Sequence, residues 1–473
     1  MIFHSLVFVA FFFLTTAIYW MLPHRAQNTW LVLIGYVFYG WVHPWFLILI
    51  FATTFADYWA ARGMEAWPER RRLMLGLSLV VNLGLLGFFK YFGFFVDNVH
   101  GVLRVVGLDL PLPVLSIVLP VGISFYTFQE LSYTIEVYRG TLRARRHFID
   151  FAAFVSLYPQ LVAGPIERAA HILPQVEQPR TFSWTAARTA LLLIVWGYFK
   201  KLVIADNVGI IANKVFALQA PGFTVLWAGV FAFAIQIYAD FSAYSDIARG
   251  VAKWLGFDLM RNFNHPYMAT GPVDFWRRWH ISLSSWFRDY VYLPLGGSKR
   301  GEATRVRNVL ATFVLSGLWH GASWNYVMWG AYHGVLVVFA HGVALGRPPG
   351  RVRTLLKPLQ VAGMFLLTLI GWLMFRETDI HMLLRDLSLT PWDSTRVDRQ
   401  IGTYLFLPTL VYSLPLWIES VWSVYLAPHV RWVSEARTRP VGFVVDAIAA
   451  GLAVTLILLL RSQQSLDFIY FQF

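Results

Sequence analysis

Cysteine is absent from the 473 residues, which excludes thiol nucleophiles, disulfides and Cys-ligated metals while leaving the compartment open. Charge is scarce too. Only 14% of residues are Asp, Glu, Lys or Arg and 57% are hydrophobic, whereas soluble domains carry about 25% charged residues. Mean hydropathy is +0.55, which excludes an ordinary soluble domain. The alternating short strands of a β-barrel are missing, and several apolar runs reach the roughly 20 residues a helix needs to cross the hydrocarbon. Internal repeats, low-complexity tracts and soluble domains are missing as well. So are a phosphate-cradling loop, a dinucleotide fingerprint, a nucleophile elbow and an HExxH metal motif. The chain is expected to be an all-α, multispanning integral membrane protein. It reads as one polytopic domain over residues 1–473, with a catalytic core at approximately 230–345.

The formal net charge of +13 does not call for nucleic acid. Basic residues gather between the apolar runs, as at Arg70-Arg71-Arg72, Arg139 to Arg146 and Lys200-Lys201. There they orient loops to the cytoplasm and meet anionic headgroups of the bilayer. Ile2 to Leu22 lacks a basic n-region and a small-residue cleavage site and reads as a retained first span. Further spans are expected near 28–60, 72–96, 112–138, 184–212, 222–252, 308–341, 355–375, 401–426 and 440–460. Phe151 to Glu167, closed by Tyr158-Pro159 and Gly164-Pro165, reads as re-entrant or bent. Arg376 to Gln400 reads as a loop.

The run from Asn308 to His341 carries His320 near its middle. An ionisable group at membrane depth is costly and marks a function by default. Gly317 with Gly321, and Gly330 with Gly334, have the four-residue spacing that lets helix backbones approach closely. The polar patch at Ala322 to Asn325 allows the run to be two helices. His320 is expected to be buried in protein, His333 to be a satisfied polar core residue and His341 to be interfacial. Gly271 to Gly297 reads as one bounded helix, with Pro272 at its first position and Asp274 in its first turn. At 3.6 residues per turn, Arg277, His280, Ser284 and Arg288 share one face. That face suits an interfacial helix with solvated arginines, or the phosphates of an anionic donor.

His280 and His320 are the best pair for acid–base work, because neutral imidazole takes a proton near neutral pH. Metal binding is not expected. Gln236, Asp240 and Tyr244 form a polar stripe in an apolar span, for structural ion pairing with Arg277 or Arg278 or for a substrate or proton path. Asn262 to Tyr267 reads as a turn.

These motifs together resemble the membrane-bound O-acyltransferase superfamily, and look most like its branch for bacterial alginate O-acetylation. The carrying residues are Asp274 to Ser284, Trp286 to Tyr290, Leu295 to Gly297 and Gly317 to Ala322. Leu119 to Phe125, Ala163-Gly164-Pro165, Tyr238 to Ser242, Tyr244 to Asp246 and Phe468 to Phe471 add support. The resemblance implies a bundle of about ten or more transmembrane helices with re-entrant and interfacial pieces. It implies that His320, within Trp319-His320-Gly321, is catalytic as a general base, with His280 as the second essential polar residue. Arg277, Arg278, Ser284, Arg288, Trp319, Asp240 and Tyr244 are the expected substrate- and donor-binding set. No bound cofactor is expected. Acetyl-CoA would be the cytoplasmic donor and an extracytoplasmic polysaccharide the acceptor. A secreted or periplasmic acetyltransferase or esterase-like protein would be the partner, at the bacterial inner membrane. Three alternatives stay open at this point: D-alanyl transfer toward teichoic acids, a transporter for polysaccharide or lipid-linked sugar, and a non-catalytic membrane scaffold for an export complex.

Overall fold

The computed structural model describes residues 1–108, 110, 115, 118–161, 164–343, 350–429, 440–464 and 466–469. The start of the run expected at 112–138 (residues 112–114, 116 and 117), and Ala163, Tyr470 and Phe471, lie outside the described residues. Every regular element among the described residues is helical. The chain forms two compact units, Met1–Leu191 with Ala248–Met260, and Leu192–Ile247 with Arg261–Phe473.

The first unit holds α1 (Leu6–Met21), α2 (His24–Gly40), α3 (Phe46–Ala66), α4 (Arg71–Leu86), α5 (Phe92–Val105), α6 (Ile123–Arg139), α7 (Phe148–Val155), α8 (Tyr158–Leu161) and α9 (Ala169–Glu177). The run expected at 28–60 is two helices, broken at Trp41–Trp45, because a residue before proline disfavours the α region and Pro44 sits there. The run expected at 112–138 becomes helical only at Ile123. Gly122 ahead of it adopts φ +81°, a left-handed conformation that glycine takes without strain. Buried polar groups of α3, α4 and α6 bond one another across the helices. Thr54 donates to Glu130 (2.8 Å), Asn82 to Asp57 (2.8 Å) and Ser78 to Thr134 (3.0 Å). The bent segment foreseen before Glu167 is α7 and α8, and from Phe151 to Leu161 it is fully buried.

The second unit takes the second half of α10 (Trp184–Phe199) and most of α12 (Phe223–Trp254), together with α11 (Asp206–Phe216). After a non-helical stretch come α13 (Pro272–Trp276), α14 (Ile281–Phe287), α15 (Glu302–His320), α16 (Trp324–Val343), α17 (Gly350–Arg376), α18 (Ile380–Ser388), α19 (Arg396–Val421) and α20 (Pro440–Leu460). The segment expected as a loop at 376–400 contains α18. Asp379 caps it by accepting the N–H groups of His381 and Met382, and Leu383 supplies its buried side.

Among the described residues, five helical stretches are long and apolar enough to cross a membrane: Pro68–Val105, Phe223–Trp254, Leu356–Arg376, Arg396–His429 and Val441–Leu460. They differ in what surrounds them. No residue in the most apolar window of α20 is buried, as hydrocarbon contact requires, whereas that of α12 is mostly buried in protein. At 1.5 Å per residue α12 is about 48 Å long, well over the roughly 30 Å hydrocarbon core.

The helix expected across Gly271–Gly297 is broken at its centre, and this is the principal correction to the sequence reading. His280 adopts φ +42°, between α13 and α14. The cause lies in the preceding segment. Asn264 N–H donates to the Arg278 carbonyl (2.8 Å), and Ile281 N–H donates to the Asn262 carbonyl (2.9 Å). These bonds replace those a continuous helix would make, so the shared face of Arg277, His280, Ser284 and Arg288 does not form as a straight stripe. The 308–341 run is two helices, with Gly321 extended (φ −163°) directly after His320.

Candidate active site

The α15–α16 hairpin sets the position of His320. A Cβ at Gly317 would overlap the Tyr326 carbonyl, and one at Gly330 would overlap the Phe313 carbonyl. The two backbones therefore touch at the small residues foreseen from their spacing. Gly321 lies as tightly against the Tyr326 ring. His320 is the last residue of α15 and is buried. Its ring centroid lies 5.1 Å from that of Trp329 and 5.3 Å from that of Phe375. Asn325 fastens this wall by donating to the Met374 (3.3 Å) and Phe375 (3.4 Å) carbonyls.

The left-handed turn at position 280 sends the second histidine inward, where it is completely buried. His280 and His320, 40 positions apart in sequence, have ring centroids 6.3 Å apart. Trp319 packs edge-on to both rings, at 5.9 Å from His280 and 5.0 Å from His320. Phe241 of α12 meets His280 at 4.7 Å, also edge-on. Asn262 Oδ1 lies 3.2 Å from His280 Nδ1 and accepts from Ser282 N–H (3.3 Å) and Ser282 Oγ (3.0 Å). With the amide oxygen as acceptor, Nδ1 carries the proton and Nε2 is the basic nitrogen. Burial pushes the His280 imidazole down to about 3, because the charged form is poorly solvated there. It is neutral at physiological pH.

Arg277, Ser284 and Arg288 come together despite the broken helix. With Arg305, Ser316 and His341 they line a cavity of about 520 Å³ in the second unit, within the range of small-molecule sites. Ser316 stands one turn before His320 on α15. Arg288 also pairs with Asp289 (2.7 Å), and Arg305 pairs with Glu302. Arg278 is turned to other work: its Nε bonds Asp274 (2.8 Å) and its Nη1 the Asn264 carbonyl (3.3 Å).

Asp240 pairs with neither arginine considered for it. Lys201 lies 3.0 Å from Asp240 and 2.9 Å from Asp206. Asp240 Oδ2 accepts the Ile469 N–H (2.8 Å), and Lys201 Nζ donates to the Leu466 carbonyl (2.9 Å). Tyr244 stacks on Phe468, centroids 3.9 Å apart. The polar stripe of α12 thus ties down residues 466–469. His333 is buried against Phe275, Trp276 and Trp329, but its Nδ1 has no hydrogen-bond partner among the described residues, so the expectation of a satisfied core histidine fails at that atom. His341 is exposed at the cavity. No cluster of metal-ligating side chains occurs among the described residues.

Sequence reasoning missed Asn262, assigned only to a turn, and the aromatic wall of Phe241, Trp329 and Phe375. No periodicity links these positions to either histidine. The one available signal was the polar run Asn262 to His265 immediately before the His280 segment.

Residues 138–368 match the family described as MBOAT, membrane-bound O-acyltransferase. The chain is 36% identical to a probable alginate O-acetylase of Pseudomonas putida, with 100% of both chains covered. It is 34% identical to a peptidoglycan O-acetyltransferase of Helicobacter pylori, over 67% of this chain and 66% of that one. Identity to a teichoic acid D-alanyltransferase of Bacillus subtilis is 30%, over 46% of this chain and 57% of that one. A full-length relative at this identity, together with a family match that contains both histidines, settles the assignment: the chain belongs to the membrane-bound O-acyltransferase family.

Proposed function

We propose that this protein is a multispanning O-acetyltransferase of the bacterial inner membrane. It moves an acetyl group from a cytoplasmic donor, acetyl-CoA, to a hydroxyl on the far side, for O-acetylation of an extracytoplasmic, alginate-like polysaccharide. The observation that carries this reading is the buried pair His280 and His320, ring centroids 6.3 Å apart. Full-length similarity to a probable alginate O-acetylase supports the choice of acetyl over D-alanyl, since the D-alanyltransferase match covers 46% of the chain. A secreted esterase-like protein is the proposed partner that receives the acetyl group. A bundle of about ten or more spans is the proposed topology, with α1, α2, α3, α15 and α16 added to the five apolar stretches.

In the proposed chemistry His320 is the general base. It takes the proton of the acceptor hydroxyl as the oxygen attacks the thioester carbonyl carbon. The tetrahedral intermediate collapses with cleavage of the C–S bond, and the departing thiolate receives the proton from the imidazolium. A positioned base of this kind contributes about 10²–10⁴-fold. The aromatic surround keeps water away from a thioester that water would otherwise hydrolyse. Neutral His280, held by Asn262, presents Nε2 as a polar contact for the reacting groups. The cavity bearing Arg277, Arg288 and Arg305 suits the donor's phosphates, because guanidinium groups bind phosphate oxygens in pairs.

The test is the O-acetyl ester content of exported polysaccharide from cells carrying wild type or His320→Ala at equal membrane levels. Loss of ester in the variant is expected. Unchanged ester would overturn the reading and favour D-alanyl transfer, to be checked by D-alanyl ester analysis, or transport.

A further inference from the structure

The first unit contains a polar cavity of about 940 Å³ that plays no part in the chemistry above. Four arginines line it (Arg25, Arg143, Arg145, Arg146), against three acids (Glu65, Asp150, Glu177). Each acid is already engaged in holding the walls. Glu65 accepts the Ala144 N–H (2.7 Å), Asp150 accepts from the Asn28 side chain (2.8 Å), and Glu177 pairs with Arg145 (2.7 Å). The guanidinium groups of Arg25, Arg143 and Arg146 are exposed and bond no side chain or carbonyl among the described residues. The cavity therefore presents three uncommitted, always-charged forks in one place.

The backbone adds to this field. The first turn of α2 lines the cavity through His24 and Arg25, and that of α7 through Phe148 and Ile149. Neither helix start is closed by a capping side chain: Pro23 precedes α2, and His147 precedes α7 without a side-chain hydrogen bond. Asp150 in the first turn of α7 offsets that helix end, whereas the start of α2 has no acidic residue; that end and three free arginines favour the same kind of ligand, one with several anionic oxygens. The volume lies near the upper end of ordinary ligand sites, too large for a single inorganic ion alone.

We infer that this cavity binds a phosphate-bearing anion. The same chemistry is offered by the headgroup of an anionic phospholipid and by a soluble phosphate ester. The purified full-length protein, stripped of lipid in detergent, is titrated with phosphatidylglycerol and, separately, with inorganic pyrophosphate, following saturable binding. Phosphatidylcholine serves as the uncharged reference. Wild type is expected to bind one of the two anions, and R25Q/R143Q/R146Q to weaken that binding at least about tenfold, given the strength of charge-assisted contacts. Binding of phosphatidylglycerol identifies a lipid headgroup site, and binding of pyrophosphate a soluble ligand. The three guanidinium groups bond nothing among the described residues, so the variant should keep the melting temperature of wild type; R143Q and R146Q alone carry the same test with smaller losses. The control R70Q/R72Q removes exposed charge of the same unit from outside the cavity. Binding of neither anion, or an equal loss in the control, would overturn the inference.

Discussion

Asn262 Oδ1 sits 3.2 Å from His280 Nδ1, and the same segment takes the backbone bonds that would have made position 280 helical. One short stretch therefore fixes both the place and the tautomer of the second histidine. Asn262→Ala leaves three donors without their acceptor in a buried site, and a buried unsatisfied group costs about 1–3 kcal/mol. We expect acetyl transfer to fall by on the order of 10- to 100-fold, in kcat more than in KM. Asn262→Asp keeps the acceptor but adds a charge that favours imidazolium, so it should move the acid limb of the pH–rate profile upward. A profile identical to wild type in Asn262→Asp would argue that Asn262 acts on the backbone alone.

The membrane class, the two histidines and the glycine contacts of α15 and α16 were legible because each depends on local composition or on helical spacing. Gly317 and Gly330 meet the opposing backbone as the four-residue pattern requires. The break at His280 was not legible. Pro272, Asp274 and the closing glycines are all consistent with one helix, and what interrupts it is a pair of backbone bonds from residues 262–264, invisible to any local rule. The partner of Asp240 was misjudged for a similar reason. Lys201 looked interfacial beside Lys200, yet it is buried between two carboxylates. Composition offered arginines for Asp240, and tertiary packing chose a lysine instead.

The closeness of α15 and α16 gives a direct stability prediction. Gly317→Ala places a methyl group against the Tyr326 carbonyl, a backbone atom that cannot swing aside. Overpacking of this kind costs about 1–3 kcal/mol. Gly363→Ala, where nothing lies within 4 Å of the added carbon, should be neutral. Thermal unfolding in detergent should separate the two variants, and indistinguishable melting temperatures would mean that the hairpin is looser than described.

Burial of His280 also makes stability depend on pH. In the unfolded chain an imidazole titrates near 6.5, but in the folded protein His280 does so at about 3. Between these values the unfolded state holds the extra proton. The contribution to stability is therefore fully present above about 6.5 and is lost as pH falls toward 3. His265, lowered to about 4, adds a parallel slope that a change at position 280 leaves in place. Melting temperature should fall less steeply with acidification in His280→Gln than in wild type. Equal slopes would place the histidine in contact with water.

Lys201, Asp206 and Asp240 show how the fold connects the end of the chain to the catalytic wall. Asp240 holds Ile469, Tyr244 stacks on Phe468, and Phe468 lies 5.9 Å from Phe241, whose edge meets His280. Removing one member of a buried ion pair costs about 3–5 kcal/mol, since the remaining charge is left without compensation. Asp240→Ala should therefore destabilise the protein by that order and speed hydrogen exchange at residues 466–469. Asp240→Asn keeps an oxygen for the Ile469 N–H, so exchange there should stay closer to wild type even though the charge is gone. If exchange at 466–469 stays slow in Asp240→Ala, the segment is held by aromatic packing.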